Sequence, residues 1–333
     1  HGPTLAFKDV GARFMSRCLG YFLKNETRKV TVLVATSGDT GGAVANGFYD
    51  VEGIEVVILY PKNRVSPVQE KQLTALGKNI HASEVNGSFD DCQALVKQAF
   101  SDESLNEKLL LTSANSINVA RWLPQQIYYV LALKQWLKNN SENPVICVPS
   151  GNFGNICAGI LAHHRGLPVE HFIAACNVND VVPEYLRTEI LKPKETVATI
   201  SNAMDVGDPS NFVRILELFE KEFNQVKSKL SGYTIDDEET LKTIERVEKD
   251  YGYVLDPHGA VAFVALEKYL AENGGKGFFL ETAHPVKFPD SVEKATGKSV
   301  EIPKSLEELM RQEKFTTEIN PQYEELKEFL LKK

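Results

Sequence analysis

The chain lacks any apolar run near the roughly 20 residues a membrane span needs, and no signal peptide opens it. A soluble globular protein is the expectation. Its five cysteines, Cys18, Cys92, Cys147, Cys157 and Cys176, form no CxxC pair. That spacing points away from a disulfide framework and predicts a reduced, intracellular protein, cytoplasmic and without a metal. Positive charge is also short: the formal net charge is −8, which argues against a nucleic-acid partner. It gives no long-range attraction to an anionic substrate either, so any phosphate has to be held by local donors. There is no internal repeat and no low-complexity tract. No methionine precedes His1, which lies inside a loop motif, so a further N-terminal segment is expected ahead of it.

What is present is enough for two full cores: 333 residues, 43% of them hydrophobic and 25% charged. Short β-branched runs alternate with longer amphipathic stretches, the pattern of a parallel sheet covered by helices. Val30 to Ala35, Ile54 to Tyr60, Val145 to Val148, Phe172 to Ala175 and Gly277 to Leu280 read as buried strands. Ser66 to Leu76 reads as a helix with an N-cap serine and Pro67 at its first position, and Pro124 to Lys138 as another. Ser305 with Glu308 reads as a capping box, Asn320 and Pro321 as the opening of a last helix, and Asp236 to Glu239 as the acidic start of an exposed one. The polar cluster Asn139 to Pro144 suggests a domain boundary. The expected division is 1–138, a smaller α/β domain, and 139–333, a larger one.

Three of the five strands run directly into small polar motifs, which places those motifs at carboxyl ends of strands, where open α/β sheets bind ligands. SGNFGN (Ser150 to Asn155) follows one strand and precedes a helix-like stretch, so its backbone N–H groups can converge on a phosphate. Gly151 and Gly154 allow close backbone approach, while Asn152 and Asn155 tolerate left-handed turns and add donors. A plain strand-to-helix turn that binds nothing is the alternative. A dinucleotide-binding fingerprint does not fit the glycine spacing of either this motif or SGDTGGA. SGDTGGA (Ser37 to Ala43) offers Ser37, Asp39, Thr40 and glycine amides to a carboxylate or phosphate, although such residues also cap helices for structural reasons alone. ETAHPVKF (Glu281 to Phe288) places a hydroxyl where it can face a cofactor ring nitrogen; His284 there reads equally well as a structural histidine. In HGPTLAFKD, Lys8 follows a polar loop expected to be flexible. A lysine becomes a Schiff-base nucleophile when burial or nearby positive charge lowers its pKa.

Taken in order, HGPTLAFKD, SGDTGGA, ANSINVARWLPQ (Ala114 to Gln125), SGNFGN, SNAMDVGDPSNF (Ser201 to Phe212) and ETAHPVKF resemble the motifs of the threonine synthase family, over nearly the whole chain. Those enzymes are fold-type-II pyridoxal phosphate enzymes. The resemblance implies two three-layer αβα domains with mostly parallel twisted sheets, like the tryptophan synthase β-subunit, and a cofactor in the cleft between them. It implies pyridoxal 5'-phosphate as cofactor, with Lys8 as the Schiff-base lysine. Gly151, Asn152, Phe153, Gly154 and Asn155 are then expected along its phosphate, and Thr282 at its pyridine nitrogen. The implied reaction turns O-phospho-L-homoserine and water into L-threonine and phosphate. Arg121 is the expected bidentate ligand of the substrate phosphate, with Asn115, Ser37, Asp39 and Thr40 completing the pocket. Asp205 and Asp208 are markers of the family; turn-forming or loop-ordering roles suit them as well as ligand contact. A related phospho-lyase on another phosphoamino acid and a non-catalytic relative are the competing readings. A monomer or homodimer is expected, with no membrane partner. Ser150 stands where threonine is frequent in the family, which keeps the hydroxyl.

Overall fold

A computed structural model describes residues 2–26 and 28–332. Among these residues nine strands form two sheets: β1 (Val30–Ala35), β2 (Ile54–Pro61), β3 (Ile80–Val85), β4 (Leu110–Ser113), β5 (Val145–Pro149), β6 (His171–Cys176), β7 (Leu230–Thr234), β8 (Gly277–Phe279) and β9 (Thr316–Ile319). The first sheet has the order β4-β1-β2-β3-β9 and the second β7-β6-β5-β8. Every pairing in both is parallel. All five strands expected from the sequence are present, within one or two residues at their ends.

Alternate residues of each central strand enter different cores. In β1, Val32 and Val34 pack with Ala12, Met15, Val44 and Phe48, while Leu33 and Ala35 pack with Cys92, Leu95, Leu326 and Leu330. In β5, Ile146 and Val148 join one cluster with Tyr129 and Phe172, and Val145 and Cys147 join another with Val261 and Ala265. Burial on both faces is why these strands read as unbroken apolar runs, and each unit is a three-layer αβα sandwich.

The chain divides into one unit of residues 1–121 with 302–333, and a second of 122–301. The expected boundary after residue 138 is therefore corrected. Helix Gln126–Trp136 belongs to the second unit, because Tyr129 is fully buried there, edge-to-face on Phe172 at 6.3 Å. The C-terminal segment returns to the first unit: β9 pairs with β3, Leu326 and Leu330 fill its core, and Tyr323 and Lys327 each reach Asp102 at 2.6 Å. Asn139 to Pro144 is a helix-to-strand turn inside the second unit.

Local signals held at Ser66, which forms a capping box with Gln69, and at Asp236, whose carboxylate caps helix Asp237–Tyr251. They failed at Ser305, which lies inside helix Lys304–Arg311 behind Pro303 at the N-cap. The last helix begins at Tyr323 rather than at Pro321; Asn320 instead donates its backbone N–H and side-chain amide to Glu325. Among the described residues no helix is long and apolar enough to cross a membrane.

Candidate active site

In the first sheet, β1 is followed by β2 on one side and has β4 on the other, so the strand order reverses between β1 and β4. Loops leaving a parallel sheet at such a switch point diverge to opposite faces and leave a crevice that binds ligands. SGDTGGA leaves β1 and ANSINVAR leaves β4 at that point. In the second sheet the order reverses between β5 and β8, and these are the strands that feed SGNFGN and ETAHPVKF.

The first unit fixes its switch point firmly. Thr36 Oγ1 accepts from the N–H groups of Gly38 (3.0 Å) and Gly41 (2.8 Å), folding the turn into helix Asp39–Phe48. Gly38 sits at φ 133°, a region closed to side chains, and a Cβ there would stand 2.5 Å from the Gln69 carboxamide. Gln69 itself donates to Asp39 Oδ1 at 2.9 Å. Asp39 is thus buried and bonded within the fold. The hydroxyls of Ser37 and Thr40, partly exposed, make no hydrogen bond among the described residues and stand ready as donors. Asn115 donates to the Ala35 carbonyl at 2.8 Å, tying the loop after β4 to the end of β1. Arg121 is 2% exposed and donates through Nη1 to the Ala114 carbonyl; burial lowers its pKa to about 10 against the opposing pull of Asp9. Its guanidinium thus organises its own loop instead of standing open to solvent.

Lys8 begins helix Lys8–Phe22 and is half-buried. The loop before it, expected from the sequence to be flexible, is tied by hydrogen bonds at Thr4. Asp9 accepts from the Thr4 N–H at 2.9 Å and the Thr4 hydroxyl at 2.5 Å, and Gln72 donates to the Thr4 carbonyl at 3.0 Å. Leu5 takes a left-handed φ of 57°. Anchoring of this kind holds a reactive amine in one place and leaves mobility to its own side chain.

In the second unit, SGNFGN joins β5 to helix Gly154–His164. Phe153 adopts the left-handed conformation (φ 61°), where the asparagines were expected to. Its ring is 4% exposed and packs edge-to-face on Phe212 at 5.6 Å, and that burial outweighs the local cost. Asn152 Oδ1 accepts from the backbone and hydroxyl of Ser210 (2.7 and 2.9 Å), tying the turn to the SNAMDVGDPSNF loop. Asn155 Oδ1 and its carbonyl each accept from the Tyr129 hydroxyl at 2.9 Å. Among the described residues its Nδ2 is buried without a partner, and no side chain caps the helix N-terminus. A buried donor left open beside uncapped N–H groups is the electrostatic complement of an anion, and these residues fit a cofactor phosphate.

At the end of β8, Thr282 is 5% exposed and its hydroxyl has no partner among the described residues. A hydroxyl in that state suits a ring nitrogen, to which it would offer a neutral partner. His284 Nδ1 accepts from the Val286 N–H at 3.1 Å as a cap, and burial lowers its pKa, so its structural reading is the one the geometry favours. Asp205 orders its loop: Thr199 N–H and hydroxyl, Asn177 and Asn179 all donate to it, at 2.6–3.2 Å. Asp208 is exposed.

Sequence reasoning missed the second layer: Gln69, Tyr129, Asp256 and His258. Asp256 and Pro257 signal only a helix start, and nothing in the sequence around them shows what they reach. Glu281 was read merely as part of a motif. Its carboxyl is packed against Gly259, where a Cβ would stand 2.3 Å from it, and beside the ionised Asp256. Burial first, and the Asp256 charge second, push its pKa far above the usual carboxylate range. As pH rises past the ordinary glutamate pKa, the unfolded chain gives up this proton and the folded chain keeps it, so stability falls. Glu281→Gln removes that loss. Its advantage over the wild type in unfolding free energy should grow from about pH 5 to about pH 8, by up to ~1.4 kcal/mol per unit. A pH-independent difference in urea titrations would refute a protonated Glu281.

Two switch points, each carrying a pair of polar loops, define a pyridoxal-phosphate enzyme of fold type II, and the family model for pyridoxal-phosphate dependent enzymes matches residues 1–278. The model for the C-terminal part of threonine synthase matches residues 259–330. Threonine synthase of Escherichia coli is 50% identical over 308 residues, 92% of this chain and 71% of that protein. The crystal structure of the Escherichia coli enzyme superposes with a TM-score of 0.92 at 47% identity, covering 100% of this chain and 76% of that one. A pyridoxal-phosphate-bound threonine synthase from Brucella melitensis gives 0.90 at 36% identity, covering 99% and 76%. The chain belongs to the threonine synthase family, and it is a pyridoxal-phosphate-dependent lyase.

Proposed function

We propose that the chain converts O-phospho-L-homoserine and water to L-threonine and inorganic phosphate. Kinship with threonine synthases supports this substrate; the observation that carries the reading is the set of donors at the two switch points that the fold leaves unused. These are Ser37 and Thr40 in one unit, Asn155 Nδ2 and Thr282 in the other.

Gly151 to Asn155 would hold the cofactor phosphate on N–H groups and the Asn155 amide, with the Gly154 helix N-terminus adding its dipole. Thr282 would face the ring nitrogen. Bound on these residues, pyridoxal phosphate supplies an electron sink for the charge that develops at the substrate Cα. Lys8 would hold the cofactor through its amine. Freed by the substrate, that amine would take one proton from Cα and one from Cβ, return a proton to Cγ after phosphate has left it, and return one to Cα as water adds its hydroxyl at Cβ. Ser37 and Thr40, at the start of the Asp39 helix, donate to the substrate phosphate. Asp39, Asn115 and Arg121 act behind them by shaping that pocket, a role supported by their bonds to Gln69, Ala35 and Ala114.

The deciding assay gives the cofactor-loaded protein O-phospho-L-homoserine and measures phosphate and threonine together. Equal amounts of both are expected. Phosphate without threonine would transfer the assignment to a phospho-lyase on a related phosphoamino acid, and neither product would leave a non-catalytic relative.

A further inference from the structure

The Gly151 turn is tied to the loop of residues 201–212 by the Asn152–Ser210 bonds and also lies close to the backbone of residues 203–204. A Cβ at Gly151 would stand 2.5 Å from Met204 Cα and 3.0 Å from the Ala203 carbonyl oxygen, so the turn lies directly on that backbone. Where Ala203 sits therefore bears on where the Gly151 N–H points. Beside the bonds that hold Ser201 and Asp205, Ala203 has a bond of its own: its N–H donates to His258 Nε2 at 3.2 Å.

His258 has little freedom to do anything else. It is 3% exposed, and its Nδ1 lies 2.6 Å from Asp256 Oδ1. Because Nε2 accepts, the ring is neutral and its proton sits on Nδ1, donated to Asp256. Asp256, fully buried, also caps helix Pro257–Asn273 by accepting from the N–H groups of His258 (2.9 Å) and Gly259 (3.3 Å). The 17-residue helix, Asp256, His258, Ala203 and Gly151 thus form one continuous strut. A carboxylate that orients an imidazole, which in turn fixes a group near the ligand, is a known way to set geometry at a distance.

We propose that His258, oriented by Asp256, is a positioning residue for the cofactor phosphate, acting through Ala203 on the Gly151 turn. This rests on the assignment of residues 150–155 as the phosphate loop. It goes beyond that assignment by making phosphate recognition depend on a residue more than a hundred positions away that touches no ligand.

The test compares pyridoxal phosphate with pyridoxal, which has the same aldehyde and ring but no phosphate, in titrations of cofactor-free protein. His258→Phe keeps the ring volume and deletes the acceptor. It should weaken pyridoxal phosphate about tenfold, the scale of one buried amide losing its partner, while pyridoxal binding stays as in the wild type. His258→Gln, whose amide oxygen offers an acceptor at similar reach, should recover most of the loss. The phosphorus resonance of the bound cofactor should move in the Phe variant and return in the Gln variant. Equal weakening of both ligands, or none, overturns the proposal. If His258→Phe does not fold, His258→Met, flexible and without a strong acceptor, takes its place with the same criteria. Gly151→Ala separates the two layers of the argument. If it leaves the preference for pyridoxal phosphate over pyridoxal intact, the phosphate-loop assignment itself fails; if it abolishes the preference while His258→Phe does not, only the role of His258 does.

Discussion

Lys8→Ala should eliminate the visible absorbance of the cofactor-loaded protein and lower turnover to about a thousandth of wild type or less, the scale on which loss of a nucleophile or proton carrier is felt. The fold should survive, since alanine is a better helix former than lysine and the Thr4–Asp9 and Gln72–Thr4 bonds that fix the start of helix Lys8–Phe22 do not use the Lys8 amine. Cofactor should still bind, through its phosphate, with reduced affinity. A rival for the covalent role exists inside ETAHPVKF: Lys287, which is fully buried. Borohydride reduction followed by peptide mapping distinguishes them, because it fixes the cofactor on whichever lysine carries it. The label belongs on the peptide containing Lys8. Label on Lys287, or an unchanged spectrum in Lys8→Ala, would remove Lys8 from the mechanism.

The sequence exposed those parts of the molecule whose signal is local. β1, β2, β5, β6 and β8 stand out because four of them are apolar on both faces and the fifth enters a polar motif directly. β3 carries polar residues among its buried ones, and β4 and β7 are only partly buried. β9 pairs with a strand more than 230 positions earlier, which no local pattern can report. The same division runs through the site. Small polar residues after strand ends marked both switch points, since turn chemistry is written in the loop itself. What holds the loops is supplied from elsewhere: Gln69 from a helix cap, Tyr129 across a helix pair, and His258 from a helix start. Phe153 shows the limit of propensity, because a phenylalanine in the left-handed region becomes favourable only once Phe212 is there to bury it.

Gly11→Ala, at a position that carries no chemistry, should be among the most damaging single-methyl changes in the first unit. A Cβ on Gly11 would stand 1.9 Å from the Arg121 carbonyl oxygen and 3.0 Å from its carbon. The obstacle is backbone, so no rotamer change relieves it. Either helix Lys8–Phe22 moves away, displacing Lys8, or the segment around Arg121 moves, and with it the Arg121–Ala114 bond and the Asn115 anchor on β1. On helix propensity alone, glycine to alanine would stabilise by about 1 kcal/mol. Overpacking against a rigid carbonyl outweighs that and should leave a net loss of about 3 kcal/mol, near the upper end for such changes. In a unit of this size that lowers the melting temperature by roughly 6–12 °C. The neighbouring Ala12, whose side chain already lies in the core, is the natural control, since Ala12→Gly should cost no more than about 2 kcal/mol. A Gly11→Ala protein as stable as wild type would show that helix Lys8–Phe22 and the Arg121 loop are not in the close contact that fixes Lys8.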